Sequence, residues 1–147
     1  MNLPVAIRPF AKEDYREWLP LWDANNMGRG NPEVSASTWS RIITPDNPVG
    51  GLGAWSNGTL AGICHFIIHP TTGCIEPVCY MQDLFVSPDF RRHGIARAMV
   101  EKLEVLGHNK GWKRIYWLAD SGNEAAANLY RNIGMKLDFT FHVLPLA

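Results

Sequence analysis

No apolar run in this 147-residue chain approaches the length a bilayer-crossing helix needs, which argues against a transmembrane protein. The first residues carry Pro4, Arg8 and Pro9 where a secretory signal would carry an apolar core, so a cytoplasmic location is expected. Neither sign of charge dominates. Fourteen basic and fourteen acidic residues give a formal net charge of zero, which removes any general electrostatic case for nucleic acid or membrane binding. Cysteine is scarce. Cys64, Cys74 and Cys79 are an odd number and are expected as reduced thiols; even with His65 and His69 beside them they match no metal-site spacing, so no metal is expected. The phosphate loop of nucleotide-binding proteins is missing, and so are the three spaced glycines of a dinucleotide fold. There is no repeat, linker or low-complexity tail, and residues 1–147 read as one domain. With 46% hydrophobic and 19% charged residues, the composition is that of a globular protein long enough to bury a proper core.

The most informative stretch is Y-M-Q-D-L-F-V-S-P-D-F-R-R-H-G-I-A-R-A-M-V, residues 80–100. Residues 80–86 have the length and the aromatic, apolar character of a buried central strand. Pro88 stops it, since proline donates nothing to a ladder. A helix then opens across residues 91–96, with Ile95, Met99, Val100, Leu103 and Leu106 on its apolar stripe. A strand that runs through a basic, glycine-bearing turn into a helix is a potential anion site, because amides at a helix start are unpaired and the dipole is positive there. A solvated basic turn is the plainer reading of the same residues.

Around this stretch the pattern predicts a short edge strand at 5–9 and a helix over 11–24 that Pro20 should kink or divide. A loop follows at 25–32, then a helix over 35–43 capped by Ser35 or Ser37. Strands at 51–56 and 59–69 flank Asn57-Gly58, a strong hairpin signal. The second is expected to be covered on both faces. Further strands are expected at 114–119 and 137–144, with a helix between them ending at Gly134 as a left-handed cap. The class is α/β (α+β), with a mixed sheet. Trp18, Trp22 and Trp39 are candidates for core packing.

Downstream of the basic turn lies a second cluster, Asn123-Glu124-Ala125-Ala126-Ala127-Asn128-Leu129-Tyr130, followed by Gly134-Met135. Together the two segments resemble the GCN5-related N-acetyltransferase (GNAT) superfamily. Arg91, Gly94 and Ala96 match its acyl-CoA motif Q/R-x-x-G-x-G/A, with alanine at the last position. Asn123, Ala126, Leu129, Tyr130 and Gly134 match its later N-x-x-A-x-x-L-Y…G-F pattern, with Met135 where phenylalanine is usual. The stretch 80–86 and Arg114-Ile115-Tyr116-Trp117 are also similar to amine acetylases of the spermidine/spermine type and to fungal and bacterial histone or D-amino-acid acetyltransferases.

The resemblance implies a mostly antiparallel sheet of six to seven strands with about four helices, splayed at the strand before the 91–96 turn. It implies acetyl-CoA as acyl donor, with no metal. The pantetheine arm would pair with the backbone of Leu84, Phe85 and Val86, and the Leu84 N–H would face the thioester oxygen. Arg91, Arg92, His93, Gly94, Ile95, Ala96 and Arg97 would form the pyrophosphate turn. Asn123, Asn128, Tyr130 and Arg131 would complete the cofactor site, with Tyr130 the acid for the leaving thiolate. Trp22, Met27, Gln82 and Asp83 would face the acceptor amine.

The base is where this chain departs from the spermidine/spermine pattern, which has Glu-Asp where this sequence has Gln82-Asp83. Glutamine takes no proton, and strict alternation would put Asp83 on the opposite face from Gln82. Asp83 acting through water, Glu33, Glu76 or an amine that arrives already neutral are the remaining options. The implied activity is N-acetylation of a small primary amine such as an amino acid or polyamine. Protein lysine or N-terminal acetylation is an alternative, and so is a non-catalytic acyl-CoA-binding regulatory domain. A homodimer paired through 137–144 is possible by the same resemblance.

Overall fold

Asn57 and Gly58, with φ of 50° and 80°, turn the chain back on itself between two long strands. These are β2, Val49–Ser56, and β3, Thr59–His69, and their antiparallel pairing is the trunk of the fold. The computed structural model describes residues 3–120 and 122–147. They form two compact units, one ending at Trp117 and one beginning at Leu118.

In the first unit β1 (Ala6–Pro9) pairs antiparallel with β2 at the sheet edge, where Pro9 is tolerated. On the other side of β3, β4 (Val78–Val86) is antiparallel to it, and β5 (Ile115–Tyr116) is parallel to β4. The order β1-β2-β3-β4-β5 makes β3, not the strand at 80–86, the middle one. Ala61, Gly62, Ile63 and Cys64 are buried in succession, as expected for a strand covered on both faces.

The helix α1 (Tyr15–Asn25), entered through a 3₁₀ turn at Lys12–Asp14, and α2 (Pro32–Ile43) cover one face. Phe10, Trp18, Trp39, Trp55, Leu60 and Ile63 form the core there. Pro20 does not divide α1, contrary to expectation. It removes one intrahelical bond, and the packing of Trp18 and Trp22 on either side of it outweighs that loss. Nor is α2 capped by Ser35 or Ser37. It starts earlier, because Asn31 accepts a bond from the Val34 amide at 3.2 Å and Pro32 fits the first helical position.

The opposite face is covered by α3, Ile95–Lys110, which buries Ile95, Met99, Val100 and Leu103. Gly62 of β3 lies directly beneath it, since a Cβ there would come within 2.7 Å of the Met99 methyl group. After β4 comes a 3₁₀ turn, Pro88–Phe90, so the helix opens at Ile95 and the basic residues 91–93 lie in the turn before it.

The second unit contains α4, Glu124–Ile133, capped by the Asn123 side chain, which accepts from the Ala126 amide at 3.0 Å. Gly134 follows it in an extended conformation with φ of −154°, not the left-handed one expected. The expected strand at 137–144 is not formed. Leu137, Phe139, Phe141 and Val143 alternate as a strand would, but the segment has no ladder partner among the described residues and all four are exposed. The sheet therefore has five strands among the described residues, fewer than the six to seven expected, and the segment 114–119 contributes only its two paired residues. No helix among the described residues is long and apolar enough to cross a membrane.

Candidate active site

Two features of β4 mark the candidate site. First, β5 pairs with β4 only at Cys79 and Tyr80, so the strands part after Tyr80 and β5 gives no partner to residues 81–86. Second, a bulge breaks the strand at the same level. His65 opposes Asp83 while Phe66 opposes Met81, which leaves Gln82 as the extra residue. Met81 and Asp83, two apart, therefore lie on opposite faces, and simple alternation does not hold across Gln82. The bulge turns Asp83 onto the face covered by α1, and Gln82 is exposed.

On that face Asp83 ends a chain of hydrogen bonds. The Trp18 indole N–H donates to His65 Nε2 at 2.9 Å, and His65 Nδ1 lies 3.0 Å from Asp83 Oδ2. Asn25, at the end of α1, donates from Nδ2 to Asp83 Oδ1 at 3.2 Å. The His65 side chain is 4% exposed and that of Asp83 20%, so the carboxylate is the end of the chain that meets solvent. Trp22 stacks on Trp18 and sets its edge against His65, with its own indole N–H donating to Ser35 Oγ at 3.1 Å. Trp18 and Trp39 are core residues as expected, and Trp22 is half-buried.

At the point where the strands part, Tyr80 stacks on Tyr116, with ring centroids 5.0 Å apart. Burial raises the Tyr80 phenol above its ordinary value, and Tyr116 and Asp83 push it in the same direction. Tyr116 also lies 2.7 Å from His69 Nε2.

Beyond β4, the turn has an unusual backbone. Arg92 and Gly94 both have positive φ, 65° and 77°. Gly94 is the N-cap of α3, no side chain caps that helix, and its first bond runs from the Ala98 amide to the Gly94 carbonyl. The amides of Ile95, Ala96 and Arg97 thus have no partner within the helix. Arg92 is exposed and His93 half-buried. Arg97 pairs with Glu101, while Arg91 donates to the Val86 carbonyl at 2.8 Å and lies against the Phe85 ring. The Ile95 side chain is buried and Ala96 half-buried, so these two contribute backbone to the turn.

The Acetyltransferase (GNAT) family profile matches residues 8–135. The chain belongs to this family. As a GNAT protein it is an acyltransferase. It is 28% identical over 143 residues to the D-amino-acid N-acetyltransferase of Saccharomyces cerevisiae, covering 94% of this chain and 89% of that one. A shorter match, 39% over 54 residues, is to the thialysine N-epsilon-acetyltransferase of Caenorhabditis elegans, covering 37% and 34% of the two chains. Among solved structures, an aminoglycoside N-acetyltransferase in complex with CoA superimposes with a TM-score of 0.85 at 18% identity, covering 100% of this chain and 98% of that one.

The GNAT sequence motifs fall in both units. The first unit brings together Trp22, Gln82, Asp83, Leu84, Phe85, Val86 and the turn 91–97 around β4. Met27, with φ of 59°, is 86% exposed in the loop after α1. Asn123, Asn128, Tyr130 and Arg131 belong to the second unit; Asn123, Asn128 and Arg131 are exposed and Tyr130 is half-buried. Sequence reasoning missed His65 and Asn25 as partners of Asp83. The one available signal was a histidine inside the apolar run 60–68, since a buried polar group in a strand needs a partner.

Proposed function

We propose that this GNAT chain moves the acetyl group of acetyl-CoA to the primary amine of a small molecule, an amino acid or polyamine-like acceptor. Transfer is by direct attack in a ternary complex. The observation that carries this reading is an oriented, partly open carboxylate, Asp83, at the level where β4 loses its neighbour. An ammonium-bearing acceptor suits it, and the D-amino-acid and thialysine acetyltransferases among the relatives are named for small amines.

The residues present suit acetyl-CoA. One edge of β4 at residues 81–86 has no strand partner from β5, and the uncapped α3 start with left-handed Gly94 offers amides to a pyrophosphate. Arg92 and Arg97 bring positive charge, and Ala96 limits bulk. Bound there, acetyl-CoA supplies the acetyl thioester. Asp83 would orient the acceptor's ammonium group, which gives one proton to solvent so that the neutral amine can attack the thioester carbon. The Leu84 N–H would face the charge that develops on the acyl oxygen. The C–S bond would break as Tyr130 gives its phenolic proton to the sulfur, and the proton shed by the new amide nitrogen would restore the phenol through solvent. Asn123 caps the first turn of α4, the helix that carries Tyr130. The family match runs through both units, from 8 to 135, which supports reading residues 1–147 as one acetyltransferase domain.

The test is release of free CoA thiol from acetyl-CoA over a panel of D- and L-amino acids, polyamines, aromatic amines and a lysine peptide. Turnover is expected on a small amine, and Tyr130→Phe is expected to lower kcat about 10²-fold with little change in KM. Exclusive turnover of the lysine peptide would move the acceptor to proteins. CoA binding without any turnover would leave a binding domain.

A further inference from the structure

His65 lies in the interior of β3, where a polar group must be fully bonded, and both of its ring nitrogens are engaged. An indole N–H only donates. Nε2 must therefore present its lone pair to Trp18, and the single ring proton sits on Nδ1, donating to Asp83 Oδ2. An imidazolium would set an Nε2–H against the indole N–H across 2.9 Å. In this geometry the imidazole donates to Asp83 without bringing a charge of its own. We infer that His65 is a positioning residue whose neutral Nδ1–H tautomer, imposed by Trp18, holds the Asp83 carboxylate in register for the ammonium group of the acceptor. The identity of that cation rests on the acetyl-transfer reading above.

The geometry supplies two clamps from separate elements. His65 in β3 holds Oδ2, and Asn25 at the end of α1 holds Oδ1. With one donor on each oxygen, the carboxylate plane is fixed and each oxygen keeps a free lone pair. Those lone pairs belong to the exposed end of the chain, and a primary ammonium with three N–H donors suits them. Without Trp18 the imidazole could take either tautomer or a second proton. With it, the group behind Asp83 stays neutral and leaves the carboxylate's charge uncompensated. Trp22, stacked on Trp18, also packs against the imidazole, with ring centroids 5.1 Å apart.

Two measurements test this. The first is ¹⁵N NMR of the His65 imidazole in the whole protein at neutral pH, which is expected to show a protonated Nδ1 and an unprotonated Nε2. An imidazolium or the Nε2–H tautomer would overturn the inference whatever the enzyme's substrate. The second is kinetics with the panel amine that the wild type turns over fastest. His65→Asn keeps a donor where Nδ1 stands, and His65→Gln does not. The Gln variant is expected to lose about 10²-fold in kcat/KM for the amine, as a small misplacement of a reacting group does. The Asn variant is expected to recover most of that, with KM for acetyl-CoA unchanged in both.

Adding His65→Gln to Asp83→Asn is expected to cost nothing further. Equal losses in the Asn and Gln variants, or losses that multiply in the double variant, would reduce His65 to a core residue. Should the His65 variants fail to fold, Asn25→Ala at the helix end takes their place. Its loss is expected to vanish in the Asp83→Asn background, and a loss that persists there would overturn the clamp. A wild type inactive on every amine would refute the acetyl-transfer reading, while the NMR result would still decide the tautomer.

Discussion

Asp14 accepts three hydrogen bonds from two directions. Arg8 donates to both of its oxygens, at 2.8 and 3.1 Å, and the Ala11 amide donates at 2.7 Å. The same guanidinium lies 3.8 Å from the centre of the Trp55 ring, so one ion pair ties β1, the start of α1 and the aromatic core together. The Arg8 bonds hold the Asp14 carboxyl below its ordinary value, against a smaller opposing effect of burial. A group whose folded-state value is depressed stabilises the fold above its unfolded value and loses that contribution as pH falls through the folded one. Asp14→Asn, which keeps the shape and an acceptor oxygen but removes the charge, is therefore expected to cost about 1 kcal/mol near neutrality, the upper range for an ion pair whose arginine is half exposed. The gap from wild type should narrow below the ordinary carboxylate value of 3.8. Urea unfolding at pH 7 and at pH 3 checks this; a gap as wide at pH 3 would mean that the charge was not the source.

At the scale of elements, β2 shows how packing is written in a strand with three glycines among its eight residues. Gly51 and Gly53 face the aromatic core and Gly50 faces the other way, toward Phe66. A Cβ on Gly53 would come within 2.6 Å of the Trp55 ring and 2.8 Å of the Phe10 ring. Trp55 has no room to retreat, held by Arg8 on its face and by Glu17 on its indole N–H. Gly53→Ala is expected to destabilise the protein by about 1–3 kcal/mol through overpacking, seen as a lower Tm. A Cβ on Gly62 would meet the flexible end of Met99 at 2.7 Å but also the Phe85 backbone carbonyl at 3.2 Å, so Gly62→Ala is expected to destabilise as well. The same local logic explains what the sequence disclosed. Asn57-Gly58 announced its hairpin, and the strand, turn and helix from Tyr80 onward were legible because each step is set by local residue types. The bulge at Gln82 was not, because it is a property of the pairing with β3 and appears only when His65 is set opposite Asp83. The Asp83 partners were hidden for the same reason: Asn25 and His65 lie 58 and 18 positions away, and Trp18, which holds His65, lies 47 positions from it. Residues 137–144 misled because alternation reports which residues would share a face, and a strand also needs a neighbour.

For the molecule as a whole, the three thiols serve as built-in reporters of opening. Cys64 and Cys79 are fully buried and Cys74 is half-buried in the loop before β4, its Sγ 3.3 Å from the Glu76 carbonyl. Burial raises both buried thiols, Cys79 to about 12, so neither offers thiolate at neutral pH even if a reagent reached it. One equivalent of an alkylating or disulfide reagent is therefore expected to react promptly with the folded protein, at Cys74, and two more only as the sheet opens. Any assay that counts free CoA thiol has to subtract that one equivalent. Because Cys64 and Cys79 lie in β3 and β4, the strands that carry Asp83 and its clamp, their slow labelling measures opening of the strands on which the proposed site is built. A ligand that binds only the folded form suppresses opening by the factor 1 + [L]/Kd, roughly 10² at a hundredfold excess over Kd. Acetyl-CoA is expected to slow labelling of the two buried cysteines by that factor and to leave Cys74 unaffected. Mass spectrometry of the labelled peptides separates the three. Protection confined to Cys74 would put the donor at the loop before β4, and equal labelling of all three without ligand would mean that the β3–β4 pairing is not a stable part of the fold.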